Sequence, residues 1–177
     1  MVKKLTLFLA YAAIFILALI AFMPKESVYF FAEQKLKEFD IVISDETSKD
    51  KLFSFEIDNA VLFAQNIEAA KIFKTDVTLL GVYNSIEAKQ IALASIVETF
   101  LPSNIEELKI VYTLVNPLEV SLWAQGDFGE LKGVLSLLDQ KILVALKPSK
   151  IMLSKYKTTL KEFKKQANGE YIYAQTL

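Results

Sequence analysis

Hydrophobic side chains are continuous near the start of the chain, from Leu5 to Met23, where Thr6 is the only strongly polar side chain. At a rise of about 1.5 Å per residue, a helix over 5–23 is long enough to cross a hydrocarbon core of roughly 30 Å. A helix is expected because, in lipid, each backbone N–H and C=O has to be satisfied within the segment. The pattern therefore predicts a transmembrane anchor at 5–23.

The flanks of this apolar run predict its orientation. Lys3 and Lys4 precede it, and Pro24 with Lys25 and Glu26 ends it, which favours a cytoplasmic segment at 1–4 and an exported remainder. A cleaved signal peptide is the second interpretation. Its apolar region typically runs about 7–15 residues, whereas this run is longer and ends in a poor cleavage site. A buried helix of a soluble protein is the third.

Helical spacing continues over 24–40, where Val28, Phe31, Leu36 and Phe39 recur on one side. This spacing predicts a juxtamembrane helix. One interpretation is a stalk whose apolar stripe packs on the domain that follows. The other is an interface for a partner helix beside the membrane.

From Ile41 onward the dominant period is two, which is typical of strands. Ile41–Ser44 is expected to be a short strand and Asp45–Lys51 a polar loop. Short turns then separate alternating runs, at Asn116-Pro117, Gly126–Gly129 and Asp139-Gln140. Consecutive strands joined in this way predict an antiparallel β-meander that forms a curved sheet. We therefore expect 41–177 to be a single mainly-β (α+β) domain.

A C-terminal amphipathic helix is expected to cover this sheet. Ser149 is a suitable N-cap, and Asn168-Gly169 is a suitable end. Met152, Tyr156, Leu160 and Phe163 fall on one face of such a helix. Candidate contacts with anionic lipid or an acidic partner are Lys157, Lys161, Lys164 and Lys165 on its other faces, together with Trp123 on a strand. The alternative for the lysine face is that it is simply solvated. For the apolar interior of the sheet there are two interpretations, a filled core and a groove that holds lipid.

Composition argues against catalysis. The chain of 177 residues has no cysteine and no histidine, and all of its 20 basic residues are lysine. The usual general base, thiol nucleophiles and most zinc ligands are therefore missing. We predict no catalytic, cofactor-binding or metal-binding residues, and Asp127-Phe128-Gly129 is expected to be a hairpin turn. The formal net charge of −1 argues against a nucleic-acid binder.

Four stretches carry a resemblance to a known family: 125–133, 135–139, 146–149 and 168–173. With one anchor followed by a meander with late glycine turns, the chain resembles the type II secretion system protein N family, which is related to AsmA-type periplasmic proteins. The resemblance covers roughly the last third of the chain well and the middle by pattern alone. It supplies no catalytic residue.

The resemblance implies a non-enzymatic component of an envelope-spanning machine for type II secretion or for DNA uptake in competence. Such a protein is a single-pass protein of the bacterial inner membrane with a periplasmic domain, and it docks other secretion or pseudopilus components. The competing hypothesis is a membrane-anchored periplasmic lipid-handling module, either AsmA-like or of the jelly-roll type used in lipopolysaccharide transport. An open apolar trough would favour this alternative, and a closed core would count against it.

Overall fold

A computed structural model describes residues 2–177. Two helices come first, α1 over Val2–Ala21 and α2 over Lys25–Lys37. Within α1, the window Lys3–Ala21 is long and apolar enough to cross a membrane, and none of it is buried against the rest of the chain. The prediction of an N-terminal apolar helix of spanning length is confirmed.

The remainder is dominated by one antiparallel sheet of eleven strands. Its strands are β1 Ile41–Ser44, β2 Thr47–Asp50, β3 Ser54–Ala64, β4 Ile67–Leu79, β5 Tyr83–Leu93, β6 Asn104–Thr113, β7 Glu119–Gly126, β8 Gly129–Ser136, β9 Lys141–Pro148, β10 Lys164–Lys165 and β11 Tyr171–Thr176. Strands β3 to β9 lie side by side in chain order, which confirms the predicted antiparallel meander. Strand β11 pairs with β9, and β10 pairs with β11.

The prediction of a polar loop over Asp45–Lys51 is wrong for its central part. Thr47–Asp50 forms β2, which pairs with β3 from Asp58 to Phe55. Strand β1 pairs only with the later part of β3, between Val61 and Ala64. The earlier part of β3 still presents unpaired backbone N–H and C=O groups, which β2 satisfies despite its polar side chains.

The predicted covering C-terminal helix is not present as one continuous element. Instead, α3 spans Lys150–Lys155 and α4 spans Lys157–Leu160, with a break at Tyr156, whose φ is −110° and ψ is 37°. Lys164 and Lys165 pair with β11 rather than continuing a helix. The physical reason is Gly169, whose φ of +85° turns the chain back and lets the preceding residues pair as an edge strand.

The strand register gives the sheet two chemically different faces. On the apolar face, one row across the strands contains Ile57, Thr75, Ala88, Leu108, Ala124, Leu131 and Leu146. The neighbouring row on the polar face contains Glu56, Asp76, Glu87, Lys109, Trp123 and Lys132. All of the covering helices pack on the apolar face, so this face forms the core.

Ion pairs tie adjacent strands together on the polar face. Glu87 contacts Lys89 at 2.6 Å and Lys109 at 3.2 Å. Glu56 is the most enclosed of these carboxylates, and its Oε2 lies 2.6 Å from the Nζ atoms of both Lys51 and Lys74. Hydrogen bonds from Lys51 and then Lys74 lower the pKa of Glu56 to about 2.

We expect Glu56 to make the fold sensitive to acid. Its folded-state pKa of about 2 lies below the ordinary value of 4.5, so its stabilising contribution is present above pH 4.5 and is lost as the pH falls towards 2. In Glu56→Gln, thermal unfolding at pH 7 should occur at a lower temperature, and the decline between pH 5 and pH 2 should be shallower. The matched control is Glu98→Gln, at an exposed position outside the sheet. An unchanged pH profile in Glu56→Gln would refute this role.

Candidate functional site

A trough of about 420 Å³ lies between α2 and the apolar face of the sheet. Helix α2 forms one wall through Val28, Tyr29, Ala32 and Leu36. Strands β3 to β6 form the floor, with Phe55, Ile57, Ala60, Leu62, Ile72, Val77, Leu79, Ile86, Ala88, Leu108, Ile110 and Tyr112. The volume falls in the range of about 300–1,000 Å³ that is typical of sites for small molecules.

Helix α2 is held along β3 by contacts at both of its ends. At its start, the Lys25 side chain is only 1% exposed, and its Nζ lies 3.2 Å from Asp50 Oδ1. Beyond its end, the backbone N–H of Gln65 donates to the carbonyl of Asp40 at 2.8 Å. Residue 50 comes just before β3 and residue 65 just after it, so α2 and β3 run in the same direction.

Tyr29 fixes the middle of α2 on the sheet. Its ring packs against Phe55 with the ring centroids 5.3 Å apart. Its hydroxyl donates to Glu46 Oε1 at 3.2 Å. Burial raises the pKa of Tyr29 above its ordinary value, and the negative charge of Glu46 raises it further. The hydroxyl therefore stays protonated and acts as a donor at neutral pH.

Helices α3 and α4 cover the apolar face at the edge of the sheet where β7 ends and β8 begins, which we call the far edge. Met152 is completely buried and packs with Leu160 in a cluster that includes Ala124, Phe128 and Leu146. The Ser149 hydroxyl caps α3 by accepting from the Met152 N–H at 3.1 Å. This cluster fills the apolar face at the far edge.

The opposite edge, where β3 begins and β4 ends, is the near edge and is not covered by α3 or α4. Leu79 and Tyr112 line the trough there, and Ile86 is 43% exposed. Beyond the trough, the same apolar face continues over half-buried side chains that include Leu122, Leu135 and Val144. The trough therefore opens towards the near edge and onto further apolar surface.

The lining of the trough is largely apolar. Among the described residues, Lys25 and Glu33 are the charged ones that line it, and Glu33 Oε1 is paired with Lys37 Nζ at 2.7 Å. Over residues 2–177, no group of His, Cys, Asp and Glu side chains is arranged to hold a metal ion. The walls offer apolar contact along the length of α2, which is what an apolar ligand requires.

The residues that the sequence singled out lie outside this trough. Lys157 and Lys161 are exposed in and after α4, and Lys164 and Lys165 are exposed on β10, so they do not form one helical face. Lys164 and Lys165 lie beside Ile172 and Tyr171 of β11, away from the strands that line the trough. Trp123 is half-buried on the polar face, where its Nε1 lies 3.3 Å from Glu130 Oε1. Contact of these side chains with a partner or a membrane stays a prediction.

The sequence is compatible with an apolar groove, but its pattern does not identify the residues that line it. The available signal was the apolar side of the juxtamembrane helix, since a helix with such a side needs something to pack on. What the pattern did not contain was the distance between α2 and the sheet. The Lys25–Asp50 ion pair and the Tyr29–Phe55 contact set that distance across about two dozen intervening residues.

Comparisons with protein-family models, with curated proteins and with solved structures find no match to this chain. The expected relationship to the type II secretion system protein N family therefore stays a prediction.

We expect Tyr29→Ala to detach α2 locally without unfolding the sheet. The substitution removes the ring that packs on Phe55 and the hydroxyl that donates to Glu46. Large-to-small changes of this kind cost about 3–5 kcal/mol where the ring is fully buried, and less here because the ring lies at the rim. Hydrogen exchange should accelerate over 25–37 and stay slow in β4 to β8. Tyr29→Phe keeps the ring, so it should show a smaller change. Equal exchange in both variants and the parent would contradict this anchoring role.

Proposed function

We propose that this chain is a membrane-anchored, non-enzymatic module that binds an acyl chain of a lipid in the trough. One observation carries the proposal: a trough of about 420 Å³ with apolar walls remains open beneath α2 instead of being filled by core side chains. Among the two hypotheses that the sequence raised, the lipid-handling module is the one that such a trough favours.

The shape of the trough favours an elongated apolar ligand. Its α2 wall extends from Lys25 to Leu36, a distance of roughly 16 Å at the rise of a helix. Each methylene group that is buried along this wall contributes about 0.8 kcal/mol. Polar lining groups are few, so recognition rests on length and apolar contact rather than on a pattern of hydrogen bonds.

The position of α1 supports a lipid as the ligand. Only Phe22, Met23 and Pro24 separate α1 from α2, so an α1 that spans a bilayer keeps the trough beside that bilayer. Lys3 and Lys4 favour a cytoplasmic N-terminus. We therefore place the sheet on the periplasmic side of a bacterial inner membrane as part of the proposal.

The assembly role in a type II secretion or DNA-uptake machine is the competing proposal. The outermost strands of the sheet favour it. Strand β2 on one side of the sheet and β10 on the other each have one unpaired side, to which an added strand can pair. The assembly role does not require any ligand in the trough. Lipid occupancy of the trough therefore distinguishes the two.

The test is to purify the intact chain in a mild detergent and to quantify its bound lipids by mass spectrometry. The comparison is with Ile86→Trp, which places a larger side chain in the trough at a position with room for it. Both proteins carry the same α1, so lipid bound to α1 contributes equally to both samples and does not affect the difference between them. We expect the parent to retain a lipid species that Ile86→Trp lacks. Identical lipid content would overturn the proposal and leave the assembly role.

A further inference from the structure

The strand register brings several loops together at the near edge of the sheet. Ser54 pairs with Thr78, Tyr83 with Thr113, Glu119 with Ser136, and Lys141 with Thr176. The segments 51–53, 80–82, 114–118 and 137–140 therefore all lie at this one edge. It is also the edge at which α2 begins, since Lys25 contacts Asp50 there.

These near-edge loops expose large apolar side chains. Val115 is 95% exposed and Leu138 is 72% exposed, and loops 80–82 and 114–118 contain no charged residue. The exposed set includes Leu52, Phe53, Val82, Val115, Leu118 and Leu138. A row of this kind, contributed by separate loops to one edge, marks an interaction surface rather than isolated exposed residues.

The bilayer that α1 crosses is the occupant within reach of this edge. From Ala21, the last residue of α1, to Lys25 the backbone extends at most roughly 14 Å. The headgroup layer on each side of a bilayer is itself several ångströms thick. The near edge is therefore tethered at the membrane surface, whereas the far edge is a further strand length away, roughly 25 Å for the eight residues of β7.

We propose that the near-edge loops insert into the interface of the bilayer that α1 spans. This docking turns the open end of the trough towards the lipid, with the Lys25 ammonium group close to the headgroups. The proposal needs α1 to span a bilayer, but it does not need the trough to hold a lipid. The two proposals can therefore fail separately.

The absence of cysteine from the sequence makes a direct test possible. Single cysteines are introduced by Val115→Cys, Leu138→Cys, Ile96→Cys and Ile14→Cys and labelled with an environment-sensitive fluorophore. The full chain is reconstituted into phosphatidylcholine–phosphatidylglycerol vesicles with or without nitroxide lipids. The nitroxide is near the headgroup for the labels at 115, 138 and 96, and in the middle of the acyl chain for the label at 14, which is the midpoint of the predicted span. Ile96 is the matched control, because it is also an exposed apolar residue but lies in the far-edge segment 94–103. A label at position 14, in α1, reports whether α1 lies within the bilayer.

We expect nitroxide lipids to reduce the fluorescence of labels at 115 and 138 and to leave the label at 96 unchanged. Quenching at 14 without quenching at 115 and 138 would overturn the docking proposal and leave the lipid trough untouched. A blue-shifted but unquenched label at 115 would overturn it in favour of a protein contact. An unquenched label at 14 would overturn both the docking and the anchor.

Discussion

Replacing Ile110 by glutamate is expected to weaken the binding of a fluorescent fatty acid to the full chain at least about tenfold, which is 1.4 kcal/mol. Ile110 lies in the floor of the trough between Ile86 and Leu122 of the neighbouring strands. A carboxylate at this position keeps its charge only by retaining water, and an acyl chain in the trough would remove that water. Burying an unpaired carboxylate costs several kcal/mol, so the bound state is the one that is destabilised.

The matched control for this variant is the next residue along β6. Val111 is half-buried like Ile110 but lies on the opposite, polar face between Ser85 and Ser121. Val111→Glu therefore introduces the same charge into the same strand without entering the trough, and its fatty-acid affinity should stay near that of the parent. Circular dichroism of both variants checks that the sheet is retained. Equal fatty-acid affinities in Ile110→Glu and the parent would show that the trough is not the fatty-acid binding site.

Replacing Gly129 by alanine is expected to lower the free energy of unfolding by more than about 3 kcal/mol, or to prevent folding. The φ of Gly129 is +114°, and an added Cβ would lie 2.1 Å from the carbonyl oxygen of Lys147 and 2.8 Å from the backbone nitrogen of Ser149. Those are backbone atoms of the segment that leads into α3. Relieving the overlap requires the β8–β9 pairing or the start of α3 to move, and either change opens the cluster around Met152.

Gly81→Ala and Gly169→Ala separate the effect of contact from that of backbone strain. Both glycines also have positive φ values, +77° and +85°, but an added Cβ at either position would meet nothing within 4 Å. These variants should lose only about 1–2 kcal/mol, the usual cost of a left-handed conformation for other residues. Chemical denaturation of the three variants in detergent measures the difference. A loss at Gly129 no larger than at Gly81 would show that the close approach to Lys147 is not a constraint.

Much of the fold follows from hydrophobic periodicity alone. The apolar run that becomes α1 and the alternation that becomes β3 to β9 are long patterns, and short turns such as Asn116-Pro117 fix which strands are neighbours. Local pattern fails where pairing partners decide the conformation. Thr47–Asp50 becomes a strand because β3 has backbone groups to satisfy, and Lys164–Lys165 becomes a strand because β11 folds back beside it.

The candidate site was harder to predict than the fold. Its lining is indistinguishable in sequence from a filled core, because Ile86, Leu108 and Ile110 alternate as any buried strand residues would. Whether such side chains meet other side chains or an open space depends on how far α2 stands from the sheet. That spacing is set by the contacts of Lys25 and Tyr29, which join segments that are distant in the chain.

Photo-crosslinking from β6 tests the lipid trough most directly. A diazirine amino acid replaces Ile110 in one protein and Val111 in another, each as the full chain in its membrane, and the adducts are identified by mass spectrometry. Lipid adducts at 110 and none at 111 are the result that the trough predicts, since only position 110 lines it. Absence of lipid at 110, or the same adducts at both positions, would contradict the account.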